Sequence, residues 1–239
     1  MTDPYTRFKA IAFDADDTLW HTENLFQETQ DKLASILERY APRDLVDDKL
    51  YETEKKNVGL FGFGIKGFTL SMVETAIEIS DGLITAHDIH AIVMQGKQML
   101  SAPLVLMENV EDVLTSLGRR HDLYLITKGD MLDQNNKIEQ SGLRHYFTIT
   151  EVVMNKDTQT YQDIFHRMNV KAHEVMMVGN SVPSDIVPVI DLGGYGVHIP
   201  YETTAIHERF DEDPNSERFC RLNTILEVPS LIRAIDGNS

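Results

Sequence analysis

The chain has 239 residues, 42% hydrophobic and 25% charged, an ordinary globular composition long enough for one large domain or for a core with an insertion. Its formal net charge of −16 repels polyanions, and no Lys/Arg stripe is long enough to neutralise a run of phosphates, which argues against a nucleic-acid partner. Cys220 is the only cysteine, which excludes an intrachain disulfide and a cysteine-rich zinc site and fits a reducing compartment.

Residues 1–9 lead into an apolar run far shorter than a signal h-region or a membrane span, so the expectation is a cytoplasmic chain with no membrane partner. Residues 8–13 are apolar and followed by an acidic cluster, which predicts a buried strand ending in a functional loop. Between Trp20 and about Ala102 no convincing strand interrupts a series of amphipathic segments at 22–40, 45–56, 68–79 and 86–100. In the first of these Leu25, Phe26, Leu33, Ile36, Leu37 and Tyr40 share a face. The pattern predicts an all-helical insertion over 21–102. Pro103 marks the return of short apolar runs, at 123–126, 147–153, 175–178 and 195–199, which alternate with helical stretches at 110–117, 131–140, 161–168 and after Pro183. That alternation predicts a parallel α/β sheet built from 1–20 and 103–239. The acidic stretch 206–217, with Pro214, reads as a solvated loop.

The chemistry concentrates at strand ends. Asp14-Ala15-Asp16-Asp17-Thr18 follows the first strand, and in extended backbone Asp14 and Asp16 share a side, so one carboxylate can attack a phosphorus while the other handles a proton. Alone, this pattern is equally a solvated acidic turn or a helix cap. Three further segments follow in order. Thr127-Lys128-Gly129 places a hydroxyl and turn N–H groups where phosphate oxygens can bind. Lys156 offers a point cation for a transferring group. Asn180 and Asp185, in Gly179-Asn180-Ser181-Val182-Pro183-Ser184-Asp185, offer an amide oxygen and a carboxylate to a hard cation.

This order of motifs over residues 10–200 resembles the haloacid dehalogenase superfamily, with its D-x-D-x-T loop, strand-end Thr or Ser, Lys, and G-D-x(4)-D or related acidic loop. The resemblance implies a Rossmann-like parallel sheet core flanked by helices, with an inserted all-helical cap domain. It further implies a Mg2+-dependent phosphatase acting on a small phosphorylated metabolite, since the insertion lies where small-substrate members carry a closing cap. Asp14 would be the nucleophile, and Asp16 the general acid and then base. Thr127 and Lys156 would contact the phosphoryl group, and Thr18, Lys128, Gly129 and Lys66 would bind substrate. Magnesium would be held by Asp14, the Asp16 carbonyl, Asn180 and Asp185. Two positions depart from the pattern: Asn180 stands where Asp is usual, and Asp157 follows Lys156 where Pro is frequent. Lys128 is an alternative source of the cation.

Asp16 argues against dehalogenation, because a halide leaves without a proton whereas an alkoxide needs one. Two other readings share the motifs, a sugar phosphomutase and a non-enzymatic phospho-Asp switch. The sequence leaves monomer or dimer open. Gly62-Phe63-Gly64-Ile65-Lys66-Gly67 matches G-x-G-x-x-G by letter, but a charged helical stretch precedes it where a dinucleotide site needs a strand. It reads as a helix connection or as a loop presenting Lys66. Met72, Met94 and Met99 read as core. His87, His90 and His121 read as surface, His198 as a candidate at the catalytic edge, and Gly193, Gly194 and Gly196 as turn residues.

Overall fold

The computed structural model describes residues 7–201 and 213–237; residues 206–212 of the expected acidic loop lie outside the described residues. The chain divides into two compact units. One comprises Met1–Glu23, Leu104–Lys128 and Asn135–Ser239, the other Asn24–Pro103 and Gly129–Gln134.

Among its described residues the first unit holds six strands: β1 (Ala10–Phe13), β2 (Asp122–Lys128), β3 (Ile149–Val153), β4 (Val175–Gly179), β5 (Tyr195–His198) and β6 (Phe219–Arg221). They pair in the order β3-β2-β1-β4-β5-β6, every pairing parallel. This is a Rossmann-like α/β core. The helices among the described residues are α1 (Glu23–Leu37), α2 (Arg43–Phe61), α3 (Ile65–Ile79), α4 (Ala86–Leu100), α5 (Val110–Leu117), α6 (Met131–Gln140), α7 (Thr158–Arg167), α8 (Val187–Asp191) and α9 (Val228–Gly237).

Strand periodicity sorts the apolar side chains onto two buried faces, as a doubly covered parallel sheet requires. Ile11, Phe13, Leu123, Leu125, Met176 and Val178 pack on one face with Val110, Val113, Leu114 and Leu117 of α5 and Val228 and Ile232 of α9. Their sequence neighbours Ala10, Ala12, Tyr124, Ile126, Val175 and Met177 pack on the other with Tyr161, Ile164 and Phe165 of α7 and Val189 of α8. The α5 spacing of i, i+3, i+4 and i+7 supplies one continuous apolar stripe.

Strand order reverses at β1, which lies between β2 and β4. In open α/β sheets the crevice outside the carboxyl ends of the strands at such a switch point is where ligands bind. The residues after β1 and β4 therefore hold the position at which chemistry is expected.

The second unit has no strand among its described residues and is built on α1 to α4 around Leu33, Leu37, Val46, Leu50, Phe68, Met72 and Ile92. Leu25, Phe26, Ile36 and Tyr40 pack against that cluster, as their shared face predicts. The glycine motif turns α2 into α3. Gly62 and Gly64 take φ of 75° and 114°, and a Cβ on Gly67 would lie 2.8 Å from the Gly62 carbonyl oxygen. Side chains at these points would strain or block the turn, which accounts for the glycines without a nucleotide. No described helix is long and apolar enough to cross a membrane.

Several local readings are corrected. Residues 143–146 form a 3-10 turn, so β3 starts at Ile149 rather than 147. The β6 strand was not predicted, because Phe219-Cys220-Arg221 is too short to show a period. Met94 is 36% exposed, unlike Met72 and Met99. His121 is buried, its Nδ1 2.8 Å from the Phe8 carbonyl oxygen. Gly196 belongs to β5, where a Cβ would lie 2.5 Å from Ile186.

Candidate active site

Asp14 continues β1 by one step, its N–H donating to the Val178 carbonyl of β4 at 2.9 Å. The chain then coils tightly. Thr18 and Leu19 N–H groups return to the Ala15 carbonyl at 3.3 and 2.8 Å. Asp17 adopts a left-handed φ of 59°, a conformation Asp tolerates because its short side chain bonds nearby backbone. Its Oδ1 accepts from the Thr22 and Glu23 N–H groups at 2.8 and 3.1 Å.

This coil brings Asp14 into a buried polar cluster. Asp14 is 7% exposed. Its Oδ2 lies 3.2 Å from Thr18 Oγ1, which lies 3.3 Å from Asn180 Oδ1; the single hydroxyl proton serves one of these acceptors at a time. Lys156 Nζ donates to Asp14 Oδ1 and, at 2.6 Å, to Asp185 Oδ1. Asp185 Oδ2 accepts from the Ser181 N–H at 3.0 Å. Asp185 folds so closely over β4 that a Cβ on Gly179 would lie 2.2 Å from Oδ2 and 2.4 Å from Cγ.

Burial pushes the Asp14 carboxyl up to about 7, with Lys156 pulling it down and Asp185 raising it further. Burial alone would lower Lys156, but the Asp14 and Asp185 carboxylates hold it well above the usual lysine range, so it stays cationic. Burial likewise holds the Tyr161 phenol well above its ordinary value against the pull of Lys156.

Asp16, two residues on, is held from three sides. Trp20 Nε1 donates to its Oδ1 at 2.6 Å and Thr22 Oγ1 at 2.8 Å. Lys137 Nζ, from α6, lies 2.7 Å from both carboxylate oxygens.

Of the other expected site residues, Thr127 is buried near the end of β2, two residues beyond the Leu125 that pairs with Phe13. Lys128 ends β2 and donates to Ser184 Oγ at 3.1 Å. Lys156, not Lys128, is the ammonium at Asp14. Gly129 and Lys66 belong to the helical unit, where Gly129 has φ of 148° and Lys66 Nζ pairs with Asp130 at 2.8 Å. Lys66 lies in the first turn of α3, not in the glycine loop. His198 ends β5 with Nε2 3.0 Å from the Asn180 carbonyl oxygen, and burial lowers its pKa, with Arg221 lowering it further. Its Nδ1 has no hydrogen-bond partner among the described residues.

Sequence reasoning missed Lys137, Trp20 and Thr22 as partners of Asp16, and Tyr161 beside Lys156. A lysine inside a predicted helix carries no mark of its partner, which is 121 residues away. Trp20 alone gave a signal, since a buried indole N–H needs an acceptor.

The set the resemblance implies, Asp14, Asp185, the Asn180 amide and the Asp16 carbonyl, is all oxygen, the chemistry a hard cation takes, and Thr18 and Lys156 bring Asp14, Asn180 and Asp185 together. Asp14 and Asp185 share one buried ammonium, and the surplus carboxylate charge is what burial resists in Asp14. A divalent cation would offset that surplus, so these residues fit magnesium. No group of three or more His, Cys, Asp or Glu among the described residues is placed to hold a metal ion.

Residues 8–191 match a family model described as haloacid dehalogenase-like hydrolase. A haloacid dehalogenase-like family hydrolase from Xanthomonas campestris is 34% identical, with a TM-score of 0.90 covering 100% of this chain and 96% of that one. The HAD-hydrolase YfnB of Bacillus subtilis is 22% identical over 199 residues, 75% of this chain and 79% of its own. Its structure, described as bound to magnesium, superposes with a TM-score of 0.68 at 16% identity, covering 95% and 99% of the two chains. A HAD phosphatase from Thermococcus onnurineus shares the fold with a TM-score of 0.61 at 16% identity, over 94% of this chain and 98% of that one. Dehalogenases share the fold as well.

Proposed function

Because the chain belongs to the haloacid dehalogenase-like hydrolases, we propose that it is a magnesium-dependent phosphatase that hydrolyses a small phosphate monoester through an aspartyl-phosphate on Asp14. The observation that carries this reading is Asp16: a second carboxylate on the Asp14 loop, fixed by three side-chain donors. Halide displacement has no use for a proton donor there, whereas an alkoxide leaves as an alcohol only if it receives a proton.

In this reading an Asp14 carboxylate oxygen attacks phosphorus as the ester P–O bond breaks. For this step Asp16 must enter as the carboxylic acid, having taken a proton from solvent; the bonding pair then goes to the leaving oxygen, which takes that proton. Water then attacks the phosphoryl group, Asp16 accepts its proton, and the bond to Asp14 breaks to restore the carboxylate. Lys156 balances negative charge on the transferring group, while Thr127 and Lys128 at the end of β2 bind its oxygens. Asp14, the Asp16 carbonyl, Asn180 and Asp185 would hold magnesium, which would supply further charge neutralisation for the transferring group. The YfnB structure bound to magnesium supports the choice of ion.

The test is phosphate release from a panel of sugar, alkyl and aryl monophosphates with and without EDTA, alongside halide release from 2-haloacids. Chelator-sensitive phosphate release without halide release is expected. Halide release without phosphate release would refute the reading, and isomer formation seen by NMR with little phosphate release would make the protein a mutase.

A further inference from the structure

Resting on the phosphatase reading, we propose that Lys137 is a positioning residue for the proton-transfer step: it locks the Asp16 carboxylate in the one orientation from which it serves the leaving oxygen and then the attacking water. Lys137 has no motif of its own, lying in the middle of α6. Its side chain is nevertheless only 15% exposed, against 49% for Lys66. Burying an ammonium is unfavourable unless a carboxylate meets it, and Nζ meets Asp16 with both oxygens at 2.7 Å.

The other donors show why a third is needed. Trp20 Nε1 and Thr22 Oγ1 both bind Oδ1, and both come from the coil that carries Asp16. Their anchorage is local to that one coil. Lys137 meets both carboxylate oxygens from a separate helix, α6, and so ties the Asp16 carboxylate to the rest of the core. General acid–base catalysis demands heavy-atom distances within hydrogen-bond reach of the transferring proton, so a carboxylate that has lost this tie loses turnover before it loses binding.

Trp20 is the chain's only tryptophan, so its indole N–H gives a single NMR cross peak that reports on Asp16 without any assay of activity. The experiment compares wild type with Lys137→Met and Lys137→Arg. Lys137→Met should shift the Trp20 indole cross peak, lower kcat on alkyl phosphates about 10- to 100-fold with KM changed less than about 3-fold, and affect an activated aryl phosphate less. Lys137→Arg should recover most of the lost kcat, because guanidinium also spans both carboxylate oxygens. An unmoved indole peak, or a Lys137→Met kcat within about 2-fold of wild type on both ester classes, overturns the proposal while leaving the phosphatase reading standing. Equal loss in the Arg and Met variants makes Lys137 a packing residue and also overturns it. A wild-type protein that releases no phosphate from any ester sinks both readings.

Discussion

Lys156→Met tests the electrostatic core of the site, and its cost follows from two independent routes. The Lys156 side chain is 2% exposed, Asp185 is 1% exposed, and Asp14 10%. Methionine fills the volume but leaves two carboxylates buried together with no cation, and breaking a buried pair in this way costs about 3–5 kcal/mol. The folded variant can instead protonate one carboxylate. Holding a proton on a group of intrinsic pKa near 4 costs about 5 kcal/mol at about pH 8, but only about 1–2 kcal/mol at about pH 5. The two routes agree near neutrality and diverge in acid. The destabilisation should therefore be about 3–5 kcal/mol at about pH 8 and under about 2 kcal/mol at about pH 5. Urea unfolding followed by Trp20 fluorescence reads this unit, since Trp20 lies in its sheet core. With a slope of about 3 kcal/mol/M, the midpoint should fall by about 1–1.7 M at the higher pH. Equal shifts at both pH values, or a shift below about 0.3 M at about pH 8, would refute the claim that Lys156 balances Asp14 and Asp185.

Asp14→Asn should abolish phosphate release, at least about 1000-fold down, with an unfolding midpoint no lower than wild type, because the amide is isosteric but neither anionic nor nucleophilic; near-normal turnover would remove Asp14 from the mechanism. Asn180→Asp should retain activity and lower the magnesium concentration giving half-maximal rate, since an added carboxylate strengthens a hard-cation site, and an unchanged or raised requirement would take Asn180 out of the ligand set. Gly179→Ala should displace the Asp185 side chain, whose Cγ lies 2.4 Å from the new methyl position. Phosphate release should fall and the magnesium requirement rise, and a wild-type profile would show that Asp185 does not need its observed pose. For the metal-free protein the sign of the Asp14 shift is opposite to that of a salt-bridged surface carboxylate. Its folded pKa of about 7 stands above the ordinary 3.8, so the folded state holds the proton more tightly and the associated stability is lost as pH rises from about 4 through about 7. Magnesium binding at about pH 6 should then release a proton, measurable as a buffer-dependent heat, and no buffer dependence would contradict the raised pKa.

Legibility in the sequence tracked the range of the physics involved. Strands β1, β2, β4 and β5 were visible because each is a short apolar run ended by turn or polar residues, and both faces of each are buried, so no alternation was needed to find them. The helices 110–117, 131–140 and 86–100 appear at the bounds predicted, since periodicity and flanking residues act over a few positions. Where capping residues were weak the limits slipped: α2 runs from Arg43 to Phe61, well beyond 45–56, because the helix passes through Gly59 and ends only at Gly62, which takes a left-handed φ of 75°.

The sequence by itself determined the order of chemistry along the chain: two carboxylates after the first strand, Thr127 at the end of the second, Lys156 after the third, and Asn180 and Asp185 after the fourth. A parallel sheet delivers every strand's carboxyl end to one edge, so order along the chain is enough to predict that these residues share that edge. Tertiary structure alone decided who pairs with whom. That Lys156 bridges Asp14 and Asp185, that Lys128 turns to Ser184, and that Lys137 crosses 121 residues of sequence to hold Asp16 depend on distances of a few ångströms between separate elements. Charge–charge and hydrogen-bond energies change steeply over such distances, while residue type and spacing, which are all a sequence displays, stay the same.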